Sequence, residues 1–133
     1  MNGEVDLSNL LANLSPSIDD RDWVFAAVDD NDLRNLRHHA LASFREAEGL
    51  TLVLPQSAAD GLENVSAPMS RITLEVHSSL EAVGLTAAVA GALAKEGISA
   101  NVIAAYYHDH IFVPKASADR ASAVLTGLST STN

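Results

Sequence analysis

The alternation of apolar and polar residues is clearest in the second half of the chain. Residues 71–77 alternate without a break, which predicts a strand with one face in the core. The Ser-x-x-Glu sequence at 78–81 has the spacing of a helix-capping box, so a helix is predicted from there to about Glu96. Residues 98–107 predict a long strand and residues 111–113 a second one, with the polar turn His-Asp-His between them.

The first half of the chain repeats part of this order. The apolar run WVFAAV at 23–28 predicts a buried strand. Residues 40–46 and 50–54 predict two strands around a turn that ends in glycine, and a proline then begins a short helix. Apolar stripes at helical spacing predict two further helices, at 7–14 and 116–128.

An internal repeat relates the two halves. A shift of 59 residues places LVLP at 52–55 on IFVP at 111–114, and Ala59-Asp60 on Ala118-Asp119. The order strand, helix, strand, strand, helix is that of a ferredoxin-like βαββαβ sandwich without its last strand. We expect strand 23–28 to supply the missing strand, so that two modules interleave.

This order predicts a division of the chain into four parts. Residues 1–20 are expected to form an N-terminal helical arm, 21–66 a reduced module and 67–128 a complete module. Residues 129–133 are Ser, Thr and Asn, which predicts a disordered tail.

Composition and charge restrict the classes of function. The 133 residues carry a formal net charge of −9, which argues against binding to nucleic acids or to anionic membranes. The absence of cysteine excludes a disulfide framework, thiolate zinc sites and cysteine nucleophiles. No segment approaches the ~20 apolar residues that cross a bilayer, and the acidic N-terminal segment is unlike a signal peptide. We therefore expect a cytoplasmic protein.

The sequence contains no motif of a known catalytic class. Glu46 and Glu48, beside Arg45, offer a carboxylate pair, but no nucleophile or cofactor-binding motif lies nearby. We therefore expect neither enzymatic activity nor a cofactor.

Three segments resemble the ACT domain family, namely residues 44–52, 77–86 and 98–114. The resemblance covers residues 22–128 and is closest to small bacterial proteins with two such modules and to the ACT modules of the cytosolic arginine sensor of animal cells. It implies an α+β, ferredoxin-like fold of two interleaved modules with antiparallel sheets. ACT modules are regulatory amino-acid binders that usually pair side by side, with the ligand at the interface. The resemblance thus implies a non-enzymatic sensor, an amino acid or similar small metabolite as ligand, and a homodimer.

The resemblance also assigns the ligand to the first strand–helix loop, the next strand and the hairpin. The ligand-binding residues that it implies are Glu81, Val83, Gly84, Leu85, Thr86, Asn101, Val102, Ile103 and Asp109. Independently, a loop that precedes a helix presents free N–H groups and the positive end of the helix dipole, which suits a carboxylate. The alternative is an ordinary capped helix whose glycine only packs.

The His-Asp-His turn has three interpretations. It is a polar turn, or Asp109 meets the amino group or cationic side chain of a ligand, as the acidic residue of the arginine-sensor hairpin implies, or His77, His108 and His110 bind a metal. Alternation places His108 and His110 on one side and Asp109 on the other. A last alternative is an interaction module without a ligand, which recruits a partner through an exposed sheet edge.

Overall fold

The computed structural model describes residues 3–132. Its α-helices are α1 (Leu7–Ala12), α2 (Asp30–Leu36), α3 (Leu85–Lys95) and α4 (Ala118–Thr132). Its β-strands are β1 (Pro16–Val28), β2 (Ala42–Glu46), β3 (Gly49–Pro55), β4 (Met69–Leu74), β5 (Asn101–Ala104) and β6 (Asp109–Pro114). Short 3₁₀ helices, Gln56–Ala58 and Lys115–Ser117, follow β3 and β6.

The fold divides into two compact units that share strand β1. We call Asp20–Met69 the first module, and the second module combines the chain up to Asp19 with the chain from Ser70 onward. The strand order is β2-β3-β1 in the first module and β1-β4-β6-β5 in the second. The chain is therefore an α+β protein with a six-stranded antiparallel sheet, which confirms the predicted ferredoxin-like class.

The strand that completes the second module differs from the predicted one. Residues 23–28 belong to the first module, where they pair with β3 from Trp23↔Pro55 to Val28↔Leu50. The second module instead uses the start of β1, up to Asp19, which lies beside β4. The apolar run identified the buried part of the strand, whereas its polar first half carried no periodic signal.

The internal repeat is present in the structure at the predicted shift. Strand β3 and its 3₁₀ helix in the first module correspond to β6 and its 3₁₀ helix in the second. The prolines that end these strands, Pro55 and Pro114, have nearly the same backbone conformation, with φ/ψ of −58°/138° and −52°/138°. A proline at this position ends the strand and starts the helical turn because its φ is fixed near −65°.

Each module has its own hydrophobic core. In β4 the burial alternates as predicted, so that Ile72 and Leu74 face the helices. The core of the second module consists of Leu10, Leu14, Ile72, Leu74, Leu85, Val89, Leu93, Ile98, Ile111, Val113, Ala121 and Leu125. The core of the first module consists of Val24, Ala26, Val28, Leu52, Leu54 and Ala59. A fully buried aliphatic side chain contributes roughly 1.5–3 kcal/mol, so the larger second core is the main source of stability.

Several elements begin or end elsewhere than predicted. Helix α3 starts at Leu85, because the residues before it form a loop and not a capping box. Strand β5 is confined to Asn101–Ala104, and Asp109 opens β6 instead of lying in the turn. Helix α4 continues to Thr132, where a disordered tail was predicted. Residue 133 of that tail, and residues 1–2 of the predicted arm, lie outside the described part of the chain.

Candidate functional site

A small cavity of about 60 Å³ lies in the second module, between the β4–α3 loop and the β5–β6 hairpin. Its wall includes Ser78, Leu85, Thr86, Ala104 and Asp109. Leu85, Thr86 and Asp109 are among the residues that the resemblance implied for the ligand site. The fold thus brings together two segments that are far apart in sequence and that were predicted to share a site.

Asp109 is the only acidic residue on the wall of this cavity, and its side chain is buried. It is the first residue of β6, opposite Ala104, and shares a strand face with the core residues Ile111 and Val113. The residue is only 7% exposed, so the carboxylate is largely removed from water.

The environment of Asp109 compensates its charge only in part. Burial raises the pKa of the Asp109 carboxyl, while a hydrogen bond from the Ser78 hydroxyl and the nearby His108 lower it to a smaller extent. Ser78 is itself 6% exposed. Among the described residues, no lysine or arginine forms a salt bridge with Asp109. A buried carboxylate of this kind favours a hydrogen-bonding cation as a partner.

The N-terminus of α3 adjoins the cavity and lacks a side-chain cap. Its N-cap residue is Gly84, in the left-handed region at φ 97°, and no side chain accepts a hydrogen bond from the first turn. The first turn of an α-helix presents N–H groups without helical partners at the positive end of the dipole. Leu85 and Thr86, in that turn, line the cavity. The carboxylate group of a ligand would be stabilised at this end of the cavity.

An N-terminal strap, residues 3–7, holds the β4–α3 loop. The Glu4 N–H donates to the His77 carbonyl, and the Ser79 N–H donates to the Glu4 carbonyl, both at 2.9 Å. A Cβ atom on Gly3 would lie 2.6 Å from the Ser78 carbonyl carbon, so the strap approaches the loop too closely for a side chain. This pairing keeps Ser78 extended, which is why the predicted capping box does not form.

Gly84 is constrained both by its backbone and by the strap. An L-residue at φ 97° is strained, and a Cβ at this position would lie 3.1 Å from Leu7 Cδ2. Leu7 is the last residue of the strap and the first of α1. Gly84 therefore links the start of α3 to the strap, and it lies next to the cavity wall in sequence without lining it.

The remaining residues implied for the site lie elsewhere. Glu81 is exposed, and Val83 is 83% exposed on the loop. Asn101 is exposed at the start of β5, and its side-chain amide donates to the Phe112 carbonyl at 3.4 Å. Val102 and Ile103, which complete the predicted set, are half-buried in β5. None of these residues lines the cavity.

His110 lies on the other side of β6 from Asp109, as alternation predicted, whereas His108 precedes the strand. His110 Nδ1 lies 3.0 Å from Thr73 Oγ1 and 3.4 Å from Arg71 Nη2, and Arg71 Nη1 donates to Asp19 Oδ2 at 3.3 Å. Burial lowers the pKa of His110, and Arg71 and His108 lower it further. His110 thus belongs to a polar network across β1, β4 and β6.

The structure gives no support to a metal site. His108 Nδ1 lies 3.4 Å from the Val76 carbonyl, and His77 packs against Tyr107, with ring centroids 5.4 Å apart. Within residues 3–132, no group of three or more His, Asp or Glu side chains is arranged to hold a metal ion.

Sequence reasoning did not identify the parts of the site that act through the backbone. Ser78 was predicted to cap a helix, and its place on the cavity wall was not recognised. Glu4 gave no signal, because the strap binds the loop through main-chain groups that any residue supplies. Only the glycine, at the point of closest approach, carries sequence information.

Comparison with known proteins identifies the family. Models of the ACT domain match residues 2–66 and 67–127. The two matched segments follow one another directly along the chain. The chain belongs to the ACT domain family and carries two tandem ACT domains, one in each half of the sequence.

Solved structures agree with this assignment. A Vibrio cholerae protein described as of unknown function and a possible transport protein is 52% identical, with a TM-score of 0.81, over 92% of this chain and 95% of that one. The ligand-free regulatory subunit of aspartate kinase from Thermus thermophilus is similar in fold, with a TM-score of 0.66 at 10% identity over 87% of this chain and 97% of the other.

The similarity extends to a domain of a larger enzyme. The aspartate kinase of Clostridium acetobutylicum, described as an allosteric enzyme, matches with a TM-score of 0.67 at 11% identity, over 87% of this chain but only 34% of that one. A search of curated protein sequences found no match. Among residues 3–132, no helix is long and apolar enough to span a bilayer.

Proposed function

We propose that this protein is a cytoplasmic regulator, not an enzyme, and that its second module binds an amino acid or a similar small metabolite. The observation that carries the proposal is the buried Asp109 carboxylate on the wall of a cavity that adjoins an uncapped helix N-terminus. Every free amino acid carries an ammonium group, which Asp109 complements, and a carboxylate group, which the helix N-terminus complements.

The ammonium group of the ligand pairs with Asp109. The cavity of about 60 Å³ suits a group of ammonium size, and the ligand supplies a cation to a carboxylate that has no lysine or arginine partner among the described residues. A hydrogen bond to a charged group contributes roughly 1.5–3 kcal/mol. Since the pKa of Asp109 is raised in the free protein, binding of a cation favours the ionised carboxylate and lowers that pKa.

The carboxylate group of the ligand meets the first turn of α3. The N–H groups of Leu85 and Thr86 lie at the positive end of the helix dipole, with no side chain competing for that end. An anion at such a position gains about 0.3–1 kcal/mol from the dipole, and more in a partly buried site. Together with the ammonium contact, this energy corresponds to a millimolar or weaker affinity unless other contacts add to it.

A second copy of the chain supplies those further contacts. Large apolar side chains are exposed on the loop and hairpin beside the cavity, namely Leu80 at 64%, Val83 at 83%, Tyr106 at 60% and Tyr107 at 62%. Strand β5 lies at the end of the strand order and exposes one edge. Pairing of two copies along this edge buries the exposed side chains and encloses the part of the ligand outside the cavity.

By analogy with the regulatory subunit of aspartate kinase, the protein that this chain regulates is a separate polypeptide. The regulatory subunit of the Thermus thermophilus aspartate kinase is a chain of nearly the same extent, whereas the Clostridium acetobutylicum kinase is about three times the matched length. By the same analogy, the two ACT domains of this chain signal through association with another polypeptide.

Thermal denaturation in the presence of each of the twenty amino acids tests the proposal. An amino acid present at a hundred times its Kd stabilises the folded state by about 2.7 kcal/mol, which raises the Tm by roughly 10 °C for a chain of this length. The Asp109→Asn variant retains the side-chain shape and the hydrogen bond with Ser78, and no amino acid should raise its Tm. The proposal is refuted if none of the twenty, at up to 50 mM, changes the Tm of the wild-type protein.

A second candidate function is an interaction module without a ligand. It is favoured by the exposed ring cluster of the hairpin, in which the ring centroids of Tyr106 and Tyr107 are 5.0 Å apart and His77 packs against both. Exposed tyrosines are typical of protein interfaces. Sedimentation equilibrium tests this function: association that Tyr107→Ala abolishes, and that no amino acid changes, would favour an interaction module without a ligand.

A further inference from the structure

The first module contains a cleft at the position that corresponds to the cavity of the second. It is larger, about 560 Å³, and lies where β1 passes into α2 and where the β2–β3 hairpin turns. The second-module cavity likewise lies where β4 passes into α3 and beside the β5–β6 hairpin. The shared position follows from the internal repeat, and it allows the two clefts to be compared residue by residue.

The buried acid of the second module has no counterpart in the first. With the 59-residue shift that matches β3 to β6, the residue equivalent to Asp109 is Leu50. Leu50 lines the first cleft and is half-buried. An ammonium group would therefore meet an aliphatic side chain where the second module offers a carboxylate.

The helix N-terminus of the first module is occupied by the protein's own side chains. In α2, the Asp29 carboxylate accepts from the Asp32 N–H at 2.8 Å, and the Asp32 carboxylate accepts from the Asp29 N–H at 3.3 Å. This reciprocal capping box occupies two of the N–H groups at the start of α2 and places two carboxylates there, which oppose the carboxylate of a ligand. In α3, by contrast, Gly84 has no side chain to act as a cap.

The charge of the first cleft opposes an anionic group as well. Five carboxylates line it, with no lysine, arginine or histidine on its wall, and they belong to Asp29, Asp32, Glu46, Glu48 and Glu63. The second-module cavity has a single acid, Asp109. A like charge placed among several carboxylates is repelled, so the carboxylate of an amino acid is excluded from the first cleft.

We infer that the two ACT domains have diverged in function, so that the second module binds one amino acid per chain and the first module binds none. The inference rests on the proposed function of the second module and adds its stoichiometry and the residues that exclude the first. The first module is then a structural and signalling domain. The duplication does not create two equivalent binding sites.

Equilibrium dialysis of the full chain against a mixture of the twenty L-amino acids, each titrated to 10 mM, tests the inference when the bound amino acids are quantified by mass spectrometry. The wild-type protein should saturate at one mole per mole of chain. Asp109→Asn should bind at least tenfold less, and Glu48→Gln, an exposed substitution in the first cleft, should still bind one mole. Ser78→Ala provides a second disruption of the cavity if Asp109→Asn fails to fold.

The outcomes separate the inference from the proposed function. Saturation at two moles per chain, or one mole retained by Asp109→Asn and Ser78→Ala, would place binding in the first cleft or elsewhere and overturn the inference while the sensor function stands. No binding by the wild-type protein would refute the proposed function, and the inference with it.

Discussion

Replacement of Asp109 by asparagine should make the free protein more stable at neutral pH, although it removes the proposed contact with a ligand. The reason is that Asp109 is 7% exposed and has a hydroxyl, but no lysine or arginine, to compensate its charge. Asparagine has nearly the same shape and still accepts a hydrogen bond from Ser78. Removing a buried charge that is compensated only in part, without creating a void, should increase the free energy of unfolding by on the order of 1 kcal/mol.

The pH dependence of this gain follows from the raised pKa of Asp109. Between the ordinary value of 3.8 and the raised value, the native state binds more protons than the unfolded state. The wild-type protein therefore loses stability as the pH rises through this window. Below pH 3.8 both states are protonated at this position, so the advantage of the variant should vanish there and reach its full value at neutral pH.

Urea denaturation of the wild-type protein and of Asp109→Asn, between pH 3 and pH 7.5, measures the difference. Asp60→Asn, at an exposed carboxylate, is the matched control and should change stability little at any pH. A variant that is less stable than the wild-type protein at pH 7, or a difference that does not depend on pH, would refute the reasoning that the carboxylate is held ready for a cation.

Three further substitutions test the surroundings of the cavity. Gly84→Ala should destabilise the protein by about 1–3 kcal/mol in urea denaturation, because its φ of 97° and the nearby Leu7 side chain oppose a Cβ atom. Gly3→Val should displace the N-terminal strap, speed hydrogen exchange of the β4–α3 loop amides, and weaken amino-acid binding, since its Cβ would overlap the backbone of that loop. His110→Gln should reduce the loss of stability as the pH falls below 6.5, because burial and Arg71 lower the pKa of the histidine, so the unfolded state takes up the proton first.

Matched variants provide the controls. Gly91→Ala lies in the interior of α3 with open space around it and should stabilise the helix by about 0.5–1 kcal/mol, so a similar gain in Gly84→Ala would contradict the strained cap. His38→Gln, at an exposed site, should leave the pH profile unchanged. Unaltered exchange of the loop amides in Gly3→Val would show that the strap does not hold the loop.

The parts of the fold that follow from periodicity were predictable from the sequence. Ile72 and Leu74 alternate with polar residues, and the same two side chains form the sheet side of the second core. The repeat was predictable because Pro55 and Pro114 impose the same chain geometry after β3 and β6. Local patterns of this kind are reliable because each one depends on a single strand or turn and not on contacts with distant segments.

Features that depend on contacts between distant segments were not predictable. The Ser-x-x-Glu spacing predicted a helix start at Ser78, but pairing with Glu4 holds that residue in an extended conformation. Asp109 has a sequence typical of a turn, yet it lies in β6 because Ala104 pairs with it. The cavity depends on both contacts, so the sequence indicated several of its residues without indicating its shape.

The central claim, that the second module binds an amino acid beside Asp109, is tested most directly by amide NMR of the labelled protein during a titration with the twenty L-amino acids. Saturable shifts of the Leu85, Thr86 and Asp109 amides are expected in at least one titration, with little change from residue 27 to residue 51. Shifts confined to those first-module residues, or no saturable shift with any of the twenty, would contradict it.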